Sequence, residues 1–543
     1  MHGLMMDTPL TISSIADHVA RFHPDREIVS VTHDNPRHRY TWGDAIARSR
    51  QLANALSKLE LEPGDRLATI AWNDYRHLEI YYGVSCAGYV CHTINPRLFP
   101  EQLIFVINHA EDRWIFVDPT FVPLLEKISS ELRDIDGFIV LSDEANMPQT
   151  SLNNVHCYET LIAAEKADYD WPELDERSAS ALCYTSGTTG DPKGVLYNHR
   201  STVLHAYAAV APDVMALSSV DTVLPVVPLF HVNAWGVPYA TAIVGAKLVL
   251  PGPKMGDGEA LYELMDSEDV SLALGVPTVW LALLQYTEQA GRQLSKLKRT
   301  IIGGAAVPRT MIEAFRDSHD VEVRQGWGMT EMSPLGTLNS LKAGLEGLTA
   351  DEKLDLSTKA GRGIYGCELR IVDDDGNELP WDGEAFGALQ VRGPWICSDY
   401  FKLEGSAATH TDDGWFGTGD VATIDPDGYM AITDRTKDVI KSGGEWISSI
   451  ELENMAMGHP AVAEAAVIGV AHPKWTERPL LIVVLAEGAE ASRDELLTYF
   501  NGKVADWWIP NDVAFVDELP HTATGKVKKI ELRRQFADFK LSA

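Results

Sequence analysis

The sequence predicts an α/β protein in two parts: a large N-terminal domain of layered sheets and helices, and a small, mobile α+β C-terminal domain. The first observation is length, because 543 residues exceed what one compact hydrophobic core normally spans. The second is the alternation of short apolar runs with segments of helical spacing, which is typical of helices covering a mostly parallel sheet. The third is the last hundred residues, where helix and strand alternate compactly enough for a separate domain. We predict domains at residues 1–436 and 437–543.

The first 150 residues supply the clearest alternation. Ile12, Ile15, Ala16 and Val19 have the spacing of one helix face. The predicted strands then lie at 66–71, 89–91, 114–117 and 138–141, and the predicted helices at 75–87 and 102–109. Further strands are predicted at 180–183, 222–227, 247–250, 272–277 and 300–306. Two antiparallel strands of a smaller sheet are predicted at 363–372 and 388–392.

One stretch, from Tyr184 to Val195, is rich in glycine, serine and threonine and contains Lys193. The predicted strand at 180–183 precedes it, and an alanine-rich run that we expect to be helical follows it. Strand, glycine loop and helix can hold phosphate, because backbone N–H groups, hydroxyls and a lysine all turn toward the anion. The ordinary P-loop has Ser or Thr after its lysine, whereas Gly194 stands here, so we predict a phosphate loop of another family. A surface linker is the alternative.

Further segments along the chain have compositions typical of a ligand site. They lie at 228–236, 300–306, 323–331, 415–420, 434–446 and 520–529. The strand at 300–306 ends in small residues, against which a flat ring or an acyl chain can lie. Trp327 offers an aromatic face and Glu331 a carboxylate. The aromatic, histidine and tryptophan residues of 228–236 suggest a pocket wall, although a single histidine is more often part of a core.

Composition excludes several classes of protein. The formal net charge is -32, which makes nucleic acid an unsuitable partner. The six cysteines form no CxxC pair and no zinc-type cluster with histidine, so we expect a reduced, cytoplasmic protein. We find no secretory signal pattern and no apolar run long enough to span a membrane. The oligomeric state is left open, with a homodimer as one alternative.

These motifs, in this order and across nearly the whole chain, resemble those of the adenylate-forming superfamily: acyl-CoA synthetases, luciferases and peptide-synthetase adenylation domains. Segments 441–448 and 475–480 are most similar to the branch of medium-chain fatty-acyl and 3-methylmercaptopropionate CoA ligases. The resemblance implies two steps. A small carboxylic acid attacks the α-phosphate of ATP, with Mg²⁺, to give an acyl-adenylate and pyrophosphate. The thiol of coenzyme A then attacks the acyl carbon, and AMP leaves.

The resemblance also implies roles for individual residues. Lys526 would bridge carboxylate and α-phosphate electrostatically, and His231 is a further catalytic candidate. Glu331, together with Thr185, would hold magnesium through hard oxygen ligands, and Lys437 would be the hinge between two domain poses. The residues expected to contact ATP or AMP are Thr185, Ser186, Gly187, Thr188, Thr189, Gly190, Lys193, Gly304, Ala305, Gln325, Gly326, Trp327, Gly328, Met329, Thr330, Asp420 and Arg435. Those expected to contact coenzyme A are Lys441, Gly443, Gly444, Glu445 and Trp446.

The acyl pocket determines which acid is expected. Its predicted residues are His231, Asn233, Trp235, Gly303, Gly304, Met329 and Pro334. No Lys or Arg lies in these segments to pair with a second carboxylate, so we expect a monoacid with an apolar tail. Trp235 should shorten the pocket and favour short or medium chains. The best candidate is 3-methylmercaptopropionate, with a medium-chain fatty acid as the alternative.

More distant classes share part of the pattern. An adenylation enzyme that loads a carrier protein usually sits beside a carrier domain, and seventeen residues follow Lys526 here. A luciferase-type oxygenase would share the motifs, and light emission with candidate luciferins would identify it. A binding protein without catalysis is disfavoured because the charged residues of the motifs are all present. They are Lys193, Glu331, Asp420, Arg435 and Lys526.

Overall fold

The computed structural model describes residues 1, 3–185, 191–403, 409–435, 438–442, 445–521, 527–537 and 539–541. The chain forms two compact units. The first comprises Met1–Thr185, Asp191–Glu368 and Arg392–Ala408, and the second includes Leu369–Val391 and Thr409–Ala543. The predicted domain boundary at 436/437 falls on residues outside this description.

The α/β class predicted from the sequence is confirmed. Within the described residues the α-helices are α1 (Ile12–Phe22), α2 (Trp42–Leu56), α3 (Tyr75–Cys86), α4 (Pro100–Ala110), α5 (Val122–Ile128), α6 (Tyr158–Ala163), α7 (His199–Ala209), α8 (Val237–Val244), α9 (Gly258–Ser267), α10 (Pro277–Ala290), α11 (Arg309–Glu313), α12 (Ala350–Ser357), α13 (Ser449–Met457), α14 (Arg493–Tyr499) and α15 (Lys529–Gln535).

The strands of the described residues are β1 (Glu27–Ser30), β2 (His38–Thr41), β3 (Arg66–Ile70), β4 (Val90–Thr93), β5 (Asp112–Val117), β6 (Gly137–Val140), β7 (Val155–Cys157), β8 (Ala179–Tyr184), β9 (Gly194–Asn198), β10 (Thr222–Pro225), β11 (Lys247–Leu250), β12 (Leu272–Gly275), β13 (Arg299–Ile302), β14 (Glu322–Gly328), β15 (Leu335–Leu338), β16 (Arg362–Gly363), β17 (Glu368–Val372), β18 (Phe386–Arg392), β19 (Phe416–Ile424), β20 (Met430–Arg435), β21 (Ile440–Ser442), β22 (Glu445–Ile447), β23 (Val462–His472), β24 (Thr476–Leu485) and β25 (Asp512–Phe515).

The first unit contains two sheets with parallel centres. One runs in the order β16-β15-β14-β13-β12-β10-β11-β1-β2, and its strands are parallel from β14 to β1. The other runs β7-β6-β5-β3-β4-β8-β9 and is parallel from β7 to β8. The central strand β12 is buried along its whole length, in keeping with its continuous apolar composition. The strand β4 is also buried throughout, although it contains His92 and Thr93. The mostly parallel sheet predicted from the sequence is confirmed.

The chain after the glycine-rich stretch corrects one prediction. Residues 194–198 form the strand β9, which pairs antiparallel with β8, and helix α7 begins only at His199. The stretch therefore connects two strands and does not lead directly into a helix. The expected strand–loop–helix arrangement is wrong. Any phosphate contact by this loop depends on its own N–H groups, hydroxyls and Lys193, without a helix N-terminus directly behind it.

The second unit is built on two further sheets. The first is antiparallel, in the order β17-β18-β19-β20. The predicted strand at 388–392 belongs to it, whereas Gly363 lies in the nine-stranded sheet of the first unit. In the other sheet, β24 pairs with β21, β23 and β25. Alternate residues of β24 enter different hydrophobic clusters, Leu481 on one face and Leu480 on the other, because the side-chain period of a strand is two.

A buried network of charges joins three helices of the first unit. Arg48 on α2 donates to Glu79 on α3 at 2.7 Å and to Glu159 on α6 at 2.9 Å. Arg76 also donates to Glu159, and Tyr158 donates to Glu79. Glu79 is fully buried, so its charge is tolerated only because these donors replace water. No sequence pattern predicted this network, since its charged groups come from three separate helices of the chain.

Several polar groups are buried as neutral side chains. His77 lies between the Trp72 carbonyl, 3.0 Å from its Nδ1, and the Thr69 hydroxyl, 2.9 Å from its Nε2. Burial lowers the pKa of His77 to about 4, and it does the same for His199 and His205. All six cysteines are free thiols. Among the described residues, no helix combines the length and the apolar composition needed to cross a bilayer.

From the lowered pKa values of these three histidines we expect the first unit to lose stability in mild acid. In the unfolded chain each titrates near 6.5, so between about pH 6.5 and 4 the unfolded state binds more protons. The stabilisation is complete above pH 6.5 and is lost as the pH falls toward 4, by roughly 3 kcal/mol at most for each histidine. Urea unfolding at several pH values measures this. His77→Gln should flatten the pH dependence, with His156→Gln as the control for losing one histidine. An unchanged slope in His77→Gln would contradict the prediction.

Candidate active site

A segment late in the first unit joins two motifs that are distant in sequence. We call residues 395–401 the strap. The Phe401 N–H donates to the Gly194 carbonyl at 2.9 Å, at the end of the glycine-rich stretch. The Cys397 N–H donates to the Glu331 carbonyl at 2.8 Å. These main-chain bonds bring the two motif segments, predicted from sequence as separate parts of one site, against the same piece of chain.

Side chains repeat this connection within the first unit. The Tyr400 hydroxyl donates to Oε1 of Glu331 at 2.7 Å, and Nζ of Lys193 lies 4.8 Å from the centroid of the Tyr400 ring. Tyr400 and Glu331 are each only 7% exposed. Burial and the neighbouring Glu331 carboxylate raise the pKa of the Tyr400 phenol well above its usual value, so the phenol remains a donor. The structure thus brings Lys193 and Glu331 to one tyrosine, Lys193 over its ring and Glu331 at its hydroxyl.

The ends of the glycine-rich stretch are held together. The Thr185 N–H donates to the Lys193 carbonyl at 2.9 Å, and the Lys193 N–H donates to the Thr185 hydroxyl at 3.1 Å. Thr185 and Lys193 therefore close the base of the predicted phosphate loop. The residues between them that were assigned to ATP lie outside the described residues. They are Ser186, Gly187, Thr188, Thr189 and Gly190.

Segment 228–236, which contains Phe230, His231 and Trp235, has an unusual backbone. Val232, Asn233, Ala234 and Trp235 all have φ between 46° and 57°, and Gly236 continues with φ 76°. The five residues form one left-handed helical turn, which costs roughly 1–2 kcal/mol for each non-glycine residue. Such strain persists only where the surroundings hold it, and it often marks a functional site.

Buried contacts hold this turn in place. Asn233 is 4% exposed, and its Oδ1 accepts from the Tyr81 hydroxyl at 3.1 Å and from the Cys183 thiol at 3.3 Å. Burial raises the pKa of Cys183 to about 11, so the thiol keeps its proton. The side chain of Asn233 thus faces a buried polar cluster at the end of β8. His231, just before the turn, is half-buried.

Trp235 lies against Gly303, one of the small residues that follow β13. A Cβ atom at Gly303 would stand 3.2 Å from the Trp235 ring and 2.9 Å from the Gly326 carbonyl oxygen. Gly304 has φ 82°, in the region that favours glycine, and it is exposed together with Ala305. An indole beside a strand end that lacks side chains can define the depth of an apolar pocket.

Strand β14 carries Gln325, Gly326 and Trp327, which were predicted to contact the nucleotide. Gln325, on β14, is 6% exposed, and its Oε1 has no hydrogen-bond partner among the described residues. A buried acceptor of this kind can be satisfied by an amino group of a ligand. Trp327 is half-buried and packs on Gly336, where a Cβ would stand 2.7 Å from the indole. Gly326 lies between them, close to Leu338.

The loop that carries Glu331 is folded tightly. The Met329 N–H donates to the Pro334 carbonyl at 3.1 Å, and a Cβ at Gly328 would stand 1.9 Å from that oxygen, so only glycine fits there. The Thr330 carbonyl accepts from the Tyr197 hydroxyl at 2.5 Å. Met329, Thr330 and Pro334, predicted as contacts of nucleotide or acyl group, thus lie in one compact turn beside Glu331.

The second unit brings two predicted ribose ligands together. Asp420 on β19 and Arg435 on β20 are cross-strand partners, and Nε of Arg435 lies 2.7 Å from Oδ1 of Asp420. The Asp420 carboxylate is nearly buried, whereas the Arg435 side chain is 41% exposed. The pair therefore joins a buried carboxylate to a partly exposed guanidinium, and it presents an acceptor and a donor on neighbouring strands.

Comparison with known proteins identifies the family. The model of AMP-binding enzymes matches residues 16–401, and that of the AMP-binding enzyme C-terminal domain matches residues 451–526. The chain belongs to the AMP-binding enzyme family.

The chain is 54% identical to the 3-methylmercaptopropionyl-CoA ligase of Ruegeria lacuscaerulensis, over 99% of both chains. It is 51% identical to the medium-chain-fatty-acid–CoA ligase of Ectopseudomonas oleovorans, over 100% of this chain and 98% of that one. The fold matches that of the anthranilate CoA ligase AuaEII with TM-score 0.86 and 24% identity, over 97% and 98% of the two chains.

Other predicted site residues of this AMP-binding enzyme fall where the structure gives no description. Lys526, Lys437, Gly443 and Gly444 lie outside the described residues, as do the side chains of Lys441, Glu445 and Trp446. The flanks of Lys526 are described. His521 and Val527 form an antiparallel bridge, and Lys529 binds Glu453 at 2.8 Å.

Arg478 lies in segment 475–480, which the sequence analysis cited only for its similarity to one branch of CoA ligases. Arg478 on β24 donates to Ser442, Asn511 and the carbonyls of Trp507 and Ile509. A single guanidinium therefore joins the end of β21 to the segment before β25. The motif at 475–480 contained this residue, but the spacing of Arg478 from its partners gave no means of predicting the contacts.

The described residues fit a magnesium site completed by a ligand. Among them, no group of three or more histidine, cysteine and acidic side chains could hold a metal. Magnesium in nucleotide enzymes is usually held by one or two carboxylates together with phosphates and water. Glu331 offers a carboxylate held through its other oxygen by Tyr400, and Thr185 offers a hydroxyl at the loop base. Oxygen donors of this kind are what the ion prefers.

Proposed function

We propose that the protein is an ATP-dependent, AMP-forming acyl-CoA ligase that acts on a small acid with an apolar tail. The observation that carries the proposal is identity above 50%, across the whole chain, to two enzymes that are both named as CoA ligases. Their names give the substrates to test first, 3-methylmercaptopropionate and medium-chain fatty acids. The free thiols suit a reducing compartment, and we propose the cytoplasm.

The first step joins two anions. A carboxylate oxygen attacks the α-phosphorus of ATP, and the bond to pyrophosphate breaks. Lys526 would neutralise charge at that point, while Lys193 would bind the phosphates. Magnesium, when bound at Glu331 and Thr185, supplies further positive charge to the phosphate oxygens. Gln325 and Trp327 would hold adenine, and the Asp420–Arg435 pair would hold ribose.

The second step exchanges AMP for coenzyme A. The thiol sulfur attacks the acyl carbon, the bond to the AMP oxygen breaks, and the thiol proton is released. We propose that the functional domains divide at 436/437, with Lys437 as the hinge that lets one site serve both steps. Segment 441–446 would then contact coenzyme A, with Arg478 holding Ser442 beside it.

The choice of acid rests on the turn at 232–236. Trp235, against Gly303, would limit the pocket depth, and an indole also suits a thioether such as that of 3-methylmercaptopropionate. Butyrate and hexanoate have similar width. One methylene changes binding by only about 1–3 kcal/mol, so we expect a graded preference.

The proposed function is tested by measuring AMP release, with and without coenzyme A, for a panel of carboxylic acids. We expect coenzyme A-dependent AMP formation that is highest with 3-methylmercaptopropionate or a short or medium-chain acid. Palmitate or a cinnamate as the best substrate would contradict the proposed acid class. Absence of AMP formation with every acid would contradict the ligase activity itself.

Lys526→Ala should separate the two steps. Removal of one preorganised charge typically reduces a rate about a hundred- to thousand-fold, and we expect that loss in pyrophosphate release from acid and ATP. A supplied acyl-adenylate should still react with coenzyme A at nearly the wild-type rate. Lys540→Ala, at an exposed lysine near the carboxyl end, is the control. Equal losses in both half-reactions would show that Lys526 does not act in adenylation alone.

Trp235→Ala should move the chain-length optimum toward longer acids, because it removes the ring that closes the pocket. The measurement is kcat/KM across a series from butyrate to dodecanoate, with KM for ATP expected to stay nearly unchanged. Trp381→Ala, at a partly exposed tryptophan of the second unit, is the control and should keep the wild-type optimum. If Trp235→Ala also keeps it, Trp235 does not set the pocket depth.

A further inference from the structure

Tyr400 of the strap contacts two side chains that are predicted to bind ligands. The hydroxyl of Tyr400 is 2.7 Å from Glu331, and its ring lies 4.8 Å below the Lys193 ammonium. The three residues come from three separate segments of the chain. Glu331 and Lys193 each belong to a motif that the sequence singled out, whereas Tyr400 belongs to none of them.

The hydrogen bond constrains how Glu331 can point. A carboxylate has two oxygens, and a fixed donor on Oε1 directs Oε2 away from the phenol. Partners that hold a ligating carboxylate through such a bond typically change metal affinity or activity about 10- to 100-fold when they are removed. The ring constrains Lys193 differently, because an aromatic face stabilises an ammonium without neutralising its charge.

The Tyr400 hydroxyl is not needed to attach the strap. The main-chain bonds of Cys397 and Phe401 already fix this segment to the Glu331 loop and to Gly194. A phenylalanine would fill the same volume and would still face Lys193. The hydroxyl contributes a bond to Glu331 that a purely structural role of the ring does not require.

We propose that Tyr400 is a positioning residue that orients Glu331 toward magnesium and Lys193 toward the nucleotide phosphates. This inference rests on the proposed function and adds a residue to it. Tyr400 does not touch the reacting atoms. It acts through Glu331 at its hydroxyl and through Lys193 at its ring, so the hydroxyl and the ring have separable effects.

Tyr400→Phe tests the hydroxyl. We expect the magnesium concentration for half-maximal ATP binding, measured by calorimetry, to rise about tenfold or more. ATP binding at saturating magnesium and the thermal unfolding temperature should stay close to wild type. Adenylation should slow, while thioester formation from a supplied acyl-adenylate should not. Tyr365→Phe removes the hydroxyl of a 99% exposed tyrosine of the same unit and should change none of these quantities.

Two further variants separate the parts of the proposal. Tyr400→Leu also removes the ring and should weaken ATP binding at saturating magnesium, unlike Tyr400→Phe. If these two variants bind ATP equally, the ring does not position Lys193. Adding Tyr400→Phe to Glu331→Gln should have little further effect on magnesium dependence, because the hydroxyl acts through that carboxylate. Additive effects would overturn the inference.

The outcomes for the wild type keep this inference distinct from the proposed function. A wild type that forms AMP while Tyr400→Phe keeps its magnesium dependence overturns the role of Tyr400 alone. A wild type that binds ATP with magnesium but forms no AMP with any acid overturns the ligase activity. In that case the calorimetric comparison of Tyr400→Phe with the wild type still supports or overturns the positioning of Glu331.

Discussion

A buried amide joins the ends of the two sheets in the first unit. Asn73, which follows β3, is fully buried, and its Nδ2 donates to the Pro225 and Val227 carbonyls at 2.9 Å. Its Oδ1 accepts from the Leu229 N–H at 2.7 Å. The chain between Pro225 and Leu229 leaves its sheet here, and buried main-chain groups without partners would be costly. The left-handed turn with Trp235 begins three residues beyond Leu229, so its position depends on this amide.

The second constraint is charge. A chain of net charge -32 that binds an anionic nucleotide must present positive charge locally. At physiological ionic strength, charges more than about 8 Å apart on the surface are largely screened, so nearby groups decide the potential at the site. Nζ of Lys193 lies 4.8 Å from the centroid of the Tyr400 ring, and Glu331 accepts a hydrogen bond from the Tyr400 hydroxyl. Tyr400 of the strap therefore contacts both a lysine and a carboxylate.

Much of the first unit could be predicted because its information is local. Continuous apolar runs such as those of β5 and β6 predicted strands to within two residues. The small residues around Gly303 were predicted to admit a ligand, and the structure shows that the Trp235 ring also lies against Gly303. The hairpin of β8 and β9 was missed because β9 is short and runs directly into the polar start of α7. The strap was missed for a different reason. Its attachment is made by main-chain bonds and by one tyrosine that lies 69 residues from its partner, so no periodicity or motif indicated it.

The turn at 232–236 shows why the structure around the proposed acyl pocket was hard to predict. Four consecutive non-glycine residues in the left-handed region are not favoured by any local propensity, so only tertiary contacts can impose this backbone. Asn233 supplies those contacts through Tyr81 and Cys183, which belong to the core beneath the turn. Trp235 instead faces Gly303, directly after the end of strand β13. One residue of the turn thus maintains the strained backbone and another limits the space beside it. A substitution of Trp235 can therefore change the space beside Gly303 without releasing the turn, whereas a change at Asn233 would act on the backbone that holds the indole.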